Sequence, residues 1–255
     1  MLKAGVAIRN VTPMEKIHLA GYPDAPERDG LTTHDPLYCS AYYFDNGKEK
    51  MLFYCNDILN MTKDRCNEIR MLVEKHCGIP RQNVAISCTH THSGPVTGGD
   101  IWQNLESKGE MYPAYNDYLR DQLVSAAKEA VETAFDAQVG FGIGTCGKEQ
   151  GMGGNRHRPD GPADPSVNVI GIRDLTGTLR GCIVNYSMHP TVLHSYNFRL
   201  TADFPCYIRE YLNEDNPYMV FGFNMGSSGN QSTRFFRKGQ SFDEARRIGY
   251  LLGEE

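Results

Sequence analysis

The stretch "LYCSAYYFDNGKEKMLFYCND", residues 37–57, has two apolar and aromatic runs on either side of Asn46-Gly47. Asn-Gly between such runs is the strongest short-range signal for a β-hairpin. The spacing of the apolar residues then changes from that of a strand to that of a helix over residues 61–80, and this segment ends in Gly-Ile-Pro. Residues 83–88, "NVAISC", predict another strand. A hairpin followed by a helix and a strand favours a mixed architecture over a purely parallel sheet.

The rest of the chain continues this mixture, without a recognisable internal repeat. Further helices are predicted at 113–135, 204–214 and 242–253, the last one beginning with a capping box of Ser241 and Glu244. Further strands are predicted at 138–146, 167–174, 179–190 and 218–225. We therefore predict a single α/β (mixed α+β) domain over residues 1–255, in which helices flank a mixed sheet and the active site lies in loops at strand ends.

Composition narrows the classes of function. The formal net charge is −5 and the Lys and Arg residues are scattered, so the basic footprint of a nucleic-acid-binding protein is missing. No apolar run approaches the roughly 20 residues that cross a bilayer, and we predict no transmembrane segment. The opening "MLKAGVAIRNVTP" lacks the apolar segment of a signal peptide and predicts a strand. The expected location is the cytoplasm.

Histidines follow two of the predicted strands. His90 and His92 lie two residues apart in "ISCTHTHSGP", so a strand end would present both on one face, and His189 and His194 follow another strand. A catalytic zinc usually has three protein ligands, and these four histidines, half of those in the chain, are the candidates. Asp57 and Asp203 are candidates to orient such imidazoles. Spacing alone leaves three interpretations open: a metal site, a proton relay and a polar strand end.

Two glycine-rich loops add candidate residues. "GSSGNQSTR", residues 226–234, can direct backbone amides at an oxyanion or a phosphate, while its serines can equally be backbone caps. "GGNRHRP", residues 153–159, has Arg156 and Arg158, whose fixed charge suits a carboxylate or an oxyanion. A solvated basic loop is the alternative for this second segment.

In chain order, the motifs resemble the neutral/alkaline non-lysosomal ceramidase family, in its N-terminal catalytic region. "THTHSGP" at 89–95 is the most specific of them. The others are "VTP" at 11–13, "GY" at 21–22, "HDPLY" at 34–38, "NRHRPDGPADP" at 155–165, "MHPT" at 188–191 and "ADFP" at 202–205. The series runs over essentially the whole chain.

The resemblance implies a Zn²⁺-dependent amidase that cleaves the N-acyl linkage of ceramide. By motif, the metal histidines fall on His90 and His189, and His92 falls on the acid/base residue beside them. The arginine that holds the carbonyl or oxyanion falls on Arg156, and the active-site serine falls on Ser232. The expected partner is therefore a small-molecule N-acyl amide or lipid substrate.

Two departures from the family pattern accompany these assignments. The serine motif Gly-Asp-x-Ser-Pro has Asn230 in place of aspartate and Thr233 in place of proline. The family's remaining metal ligands, a glutamate and a tyrosine, match no motif before Glu255. We therefore expect either a truncated chain lacking the family's C-terminal part or a metal site completed differently.

Three functional hypotheses follow. The first is zinc-dependent hydrolysis of a linear, ceramide-like N-acyl amide by a metal-activated water. The second is a non-catalytic metal- or ligand-binding homologue, and the third is a metallohydrolase that acts on a different amide, an ester or a phosphoester. Imidazole and oxygen ligands also suit iron, nickel or manganese.

Overall fold

The computed structural model describes residues 1–25, 28–98 and 112–255. These residues contain an eight-stranded sheet and four α-helices. The helices are α1 Lys63–Cys77, α2 Pro113–Glu132, α3 Phe204–Asp215 and α4 Phe242–Glu254. The strands are β1 Lys3–Asn10, β2 Tyr38–Asp45, β3 Lys50–Asn56, β4 Val84–Cys88, β5 Phe135–Thr145, β6 Ser166–Asp174, β7 Leu179–Tyr186 and β8 Val220–Met225.

The sheet consists of two halves with the same topology, in the order β8-β7-β6-β5-β1-β2-β3-β4. In the first half β1, β2 and β3 are antiparallel, and α1 crosses over to β4, which lies parallel to β3. In the second half β5, β6 and β7 are antiparallel, and α3 crosses over to β8, parallel to β7. The predicted mixed α/β class is confirmed, and the structure adds a repeat that the sequence does not display.

The hairpin turn and the helix ends predicted from the sequence are present in the structure. Gly47 adopts a positive φ of 83° in the turn between β2 and β3. Helix α1 begins after Thr62, whose side chain accepts from the Arg65 N–H, and ends at Gly78 with φ 65°. At α4 the capping box is half formed: the Glu244 N–H donates to Ser241 Oγ, but the Glu244 carboxylate accepts from the Lys238 N–H instead.

Two predicted boundaries were wrong at the junction of α2 and β5. The helix ends at Glu132 rather than at residue 135, and the strand begins at Phe135 rather than at 138. Thr133 turns the chain, donating its hydroxyl to the Glu129 carbonyl. Phe135 then pairs with Ala4 of β1. The pairing of β5 with β1 therefore outweighs the helical spacing of the apolar residues, and that spacing gives no sign of the pairing.

The halves of the sheet pack face to face at a steep angle. Ser40 Oγ on β2 donates 2.7 Å to the Phe221 carbonyl on β8, and Ser87 Oγ on β4 donates to the Asn224 side chain further along β8. Phe221 and Asn224 are three residues apart on β8, and β2 and β4 are two strand spacings apart, which are both distances of about 10 Å. Strand β8 therefore runs across β2, β3 and β4. The ends of strands from both halves thereby reach one region.

Helices cover the outer faces of the two halves. On the first half, Tyr54 of β3 donates its hydroxyl to the Leu123 carbonyl of α2. On the second half, Phe204 of α3 packs edge-on against Phe223 of β8 at 5.5 Å between ring centroids. Within the described residues, no helix is long and apolar enough to cross a membrane.

Candidate metal centre

The candidate site lies where four loops meet, one after each of β3, β4, β7 and β8. The loop after β4 contains His90 and His92, and the loop after β7 contains His189. The His92 N–H donates 3.4 Å to the Pro190 carbonyl, which joins these two loops. Because β8 crosses the first half of the sheet, equivalent loops of the two halves come together here.

Three imidazoles form a cluster in this region. One ligand atom from each of His90, His92 and His189 lies within 4.8 Å of the other two. The ring centroids of His90 and His189 are 5.0 Å apart, and His189 is 7% exposed. The structure thus brings together the three histidines predicted from two distant motifs.

Backbone carbonyls orient two of the imidazoles. His90 Nδ1 lies 2.8 Å from the Leu59 carbonyl, in the loop after β3. His189 Nδ1 lies 2.8 Å from the Ser228 carbonyl and 3.1 Å from that of Gln231, in the loop after β8. A carbonyl only accepts, so each Nδ1 is the donor, and each Nε2 then keeps a lone pair for a ligand. Both halves of the fold therefore use the loop after a neighbouring strand to set the tautomer of a histidine.

His92 differs from the other two. Both of its ring nitrogens are buried and, among the described residues, neither has a hydrogen-bond partner. Gly21, at φ 102°, packs against the ring, and a Cβ at this position would lie 2.5 Å from His92 Nδ1. Buried polar atoms without partners are rare in native proteins and usually mark a bound group, a water or a functional role.

Burial keeps the cluster neutral. It lowers the pKa of His189 to about 4, with the His90 imidazole and the Arg156 guanidinium lowering it further. Burial also lowers the pKa of His90 below its ordinary value and that of His92 well below it. Neutral imidazole is the form that binds a metal.

These features fit a metal ion. Two fixed Nε2 lone pairs, a third histidine with unpartnered nitrogens, and neutral rings provide imidazoles able to bind a transition-metal ion. The described residues hold no other group of three metal-ligating side chains this close together.

Backbone strain accompanies the cluster. His90 and Asp203 both have φ 62°, which is costly for residues other than glycine. Asp203 compensates through its carboxylate, which accepts from the N–H groups of Val192, Leu193 and Phe204. These hydrogen bonds fix the position of the segment that follows His189.

The sequence hypothesis that Asp57 and Asp203 orient the imidazoles was wrong. Asp57 accepts from the Tyr38 N–H and pairs with Arg209 at 2.7 Å, while Asp203 is used by backbone N–H groups. Backbone carbonyls orient the imidazoles instead. Every residue has a backbone carbonyl, so the residue types in a sequence do not show which carbonyl will contact a histidine.

Arg156 and Ser232 lie beside the cluster through a small strand pair. Asn155 pairs with Gln231, the Arg156 N–H donates 2.7 Å to the Asn230 carbonyl, and Ser232 forms an isolated bridge with His189. The Arg156 guanidinium is close enough to lower the pKa of both His90 and His189. Ser232 Oγ accepts from the Arg234 N–H at 3.2 Å, which leaves the hydroxyl proton free to be donated elsewhere.

Other candidates fall outside the cluster. His194 is separated from His92 by the ring of Tyr22, which lies 4.9 Å from His92 and 5.0 Å from His194. The sequence predicts Tyr22 only as part of the "GY" motif. No sequence signal points to Arg28, because an arginine in a Gly/Pro-rich loop is usually solvated, whereas Arg28 is 2% exposed.

No family model matches the sequence. The neutral ceramidase of Pseudomonas aeruginosa is 25% identical over 258 residues, covering 92% of this chain and 38% of that protein. The solved structure of the neutral ceramidase from Pseudomonas aeruginosa has a TM-score of 0.83 at 19% identity, over 99% of this chain and 44% of that one. A ceramidase complexed with C2 also has a TM-score of 0.83, at 18% identity, over 99% of this chain and 43% of that one.

These similarities confirm the resemblance to neutral ceramidase that the motifs predict, together with the fold class. The chain spans about two fifths of the length of these proteins. The similarity therefore concerns a region of a ceramidase.

Proposed function

We propose that the chain is the metal-binding catalytic region of a zinc-dependent amidohydrolase that cleaves linear, ceramide-like N-acyl amides. The observation that supports this most directly is the cluster of His90, His92 and His189, whose ligand atoms lie within 4.8 Å of one another. The similarity to a curated neutral ceramidase supports the substrate class.

His90 and His189 would hold the metal through their Nε2 atoms, since their Nδ1 atoms donate to carbonyls. A bound zinc ion would supply a nucleophilic water at neutral pH and polarise the amide carbonyl. His92, neutral and with unpartnered nitrogens, accepts a proton during attack and returns it to the leaving amine. Arg156 stabilises the negative charge that develops on the carbonyl oxygen.

Ser232 has a narrower proposed role. Its hydroxyl accepts from the Arg234 N–H, so its proton is available to donate to the substrate. Asn230 donates to the Pro162 carbonyl at 3.2 Å and so stabilises the loop. Thr233 is fully buried, and among the described residues its hydroxyl has no hydrogen-bond partner. The glutamate and tyrosine ligands of the family, and the cytoplasmic location, stay predictions.

Metal content tests the site. We expect about one zinc per chain by elemental analysis of the purified wild type, and its loss in both His90→Ala and His189→Ala. His76→Ala is the matched control, because His76 lies in the last turn of α1 and no metal role is proposed for it. Retention of zinc in both cluster variants would refute the assignment.

A substrate panel tests the reaction. Zinc-loaded protein should hydrolyse medium-chain N-acyl amides, and His92→Ala should lower kcat by about 100-fold or more while zinc is retained. Hydrolysis of esters or phosphoesters alone would favour the metallohydrolase alternative. Zinc binding without any hydrolysis would favour the non-catalytic homologue.

A further inference from the structure

Tyr22 forms a wall of the histidine cluster. Its ring packs edge-on against His92, with the ring centroids 4.9 Å apart and the planes at 61°. On its other side lies His194, at 5.0 Å. Gly21 brings Tyr22 this close, since its φ of 102° and missing Cβ allow the backbone to touch the His92 ring.

Arg28 fixes this arrangement. Its guanidinium carbon lies 4.8 Å from the centre of the Tyr22 ring, a cation–π contact. The same guanidinium donates to the carbonyls of Ala20, at 2.9 Å, and of His92. A buried arginine that donates to the Ala20 and His92 carbonyls and also contacts the Tyr22 ring holds that ring against His92.

The hydroxyl of Tyr22 is buried in this wall and, among the described residues, has no hydrogen-bond partner. Other buried tyrosines in the fold do have one: Tyr54 donates to the Leu123 carbonyl and Tyr186 to the Cys146 carbonyl. A tyrosine hydroxyl is protonated at neutral pH and can therefore donate. An unpartnered donor on a ring that packs against an imidazole with two unpartnered nitrogens is an arrangement for receiving a ligand.

We propose that Tyr22 is a ligand-contact residue of this site, whose hydroxyl donates a hydrogen bond to an acceptor oxygen of the bound acyl compound beside His92. Arg28 is its positioning residue. The inference rests on the proposed function, because that function supplies an amide or carboxylate oxygen as the acceptor. Neither sequence motif nor fold similarity assigns this role.

Stability tests the unpartnered hydroxyl without any assay of activity. Removing a buried hydroxyl that has no partner should leave the stability of the free protein unchanged or raise it. Tyr22→Phe should therefore have a Tm equal to or above that of the wild type. Tyr54→Phe, the matched control with a bonded hydroxyl, should have a lower Tm. A Tm of Tyr22→Phe as low as that of Tyr54→Phe would overturn the inference, because the hydroxyl would then have a partner within the protein.

Binding and turnover test the contact itself. With zinc-loaded protein and octanoate as the probe, calorimetry should show roughly tenfold weaker binding to Tyr22→Phe, as expected for one lost hydrogen bond. The kcat/KM for N-octanoyl amide hydrolysis should fall at least as far, while zinc content stays at the wild-type value. Tyr54→Phe should match the wild type in both measurements.

The outcomes separate the two claims. If the wild type is active and Tyr22→Phe binds and turns over equally well, this inference is wrong and the proposed function stands. If the zinc-loaded wild type neither binds octanoate nor hydrolyses any amide, the proposed function fails, and the role of Tyr22 fails with it.

Discussion

At the scale of single residues, sequence and structure contribute different parts of the candidate site. The motifs point to His90, His92 and His189 by name, because histidine is a residue type with a chemical signature. They do not predict which nitrogen faces the ligand, since that is decided by the carbonyls of Leu59 and Ser228. Side-chain chemistry is visible in a sequence, whereas backbone groups become functional only through the fold.

The neutral state of the histidines makes stability depend on pH. His189 has a folded pKa of about 4, below the ordinary 6.5, so between these values the unfolded chain binds a proton that the folded chain does not. The unfolding free energy of metal-free protein should therefore fall as pH falls through this window. From pH 7 to pH 5 the contribution of His189 is about 2 kcal/mol.

Urea unfolding at the two pH values measures this effect. His189→Gln has no titrating group at this position, so it should lose about 2 kcal/mol less than the wild type between pH 7 and pH 5. An identical loss in both proteins would show that the burial of His189 does not control its protonation.

At the scale of elements, the sequence predicts those whose signals are local. The Asn46-Gly47 hairpin, the Gly78 end of α1 and the Ser241 cap all depend on residues close together in the chain. The start of β5 was missed because it depends on pairing with β1, more than a hundred residues away. Local signals give an element its type, while distant partners set its boundaries.

Two glycines should respond differently to the same substitution. At Gly5 of β1 an added Cβ would lie 1.7 Å from the Ala130 carbonyl of α2, so Gly5→Ala should push helix and strand apart and lose about 3 kcal/mol or more. At Gly47 the space is open, and only the positive φ of 83° opposes a side chain. Gly47→Ala should lose about 1 kcal/mol.

Urea unfolding of the two variants checks the contrast. A loss at Gly5 that is no greater than the loss at Gly47 would mean that α2 can move away from β1 without cost.

At the scale of the whole molecule, the crossing of the two halves of the sheet could not be predicted from the sequence. Alternation of apolar residues shows that a strand has buried faces, but it does not show which strand lies opposite. The repeated topology is likewise hidden, because equivalent strands of the two halves share hydrogen-bonding order and not sequence. The location of the site depends on this crossing, and so only its residues were predictable.

A buried ion pair links the halves. Arg209 of α3 donates to Asp57, at the end of β3, across 2.7 Å, with side-chain exposures of 12% and 3%. The Arg209 guanidinium also lies over the Tyr38 and Phe221 rings. Replacing Arg209 by Met leaves the Asp57 carboxylate buried without its countercharge, and we expect a loss of about 3–5 kcal/mol.

A double-mutant cycle in urea tests this link. Arg209→Met combined with Asp57→Asn should be more stable than Arg209→Met alone, because the amide oxygen can still accept from the Tyr38 N–H without a buried charge. Strictly additive losses would mean that the two side chains do not interact.

The division of the histidines between the two halves also orders events during synthesis. His90 and His92 leave the ribosome about a hundred residues before His189, and Ser228 and Gln231, whose carbonyls orient His189, follow later still. At roughly 5–20 residues per second, that delay is on the order of 5–20 seconds. During this delay the nascent chain contains the His90 and His92 pair but not the complete cluster of three imidazoles. In the proposed function, metal binding would therefore wait until both halves have been synthesised and have docked, and a bound metal would mark a region that has already folded.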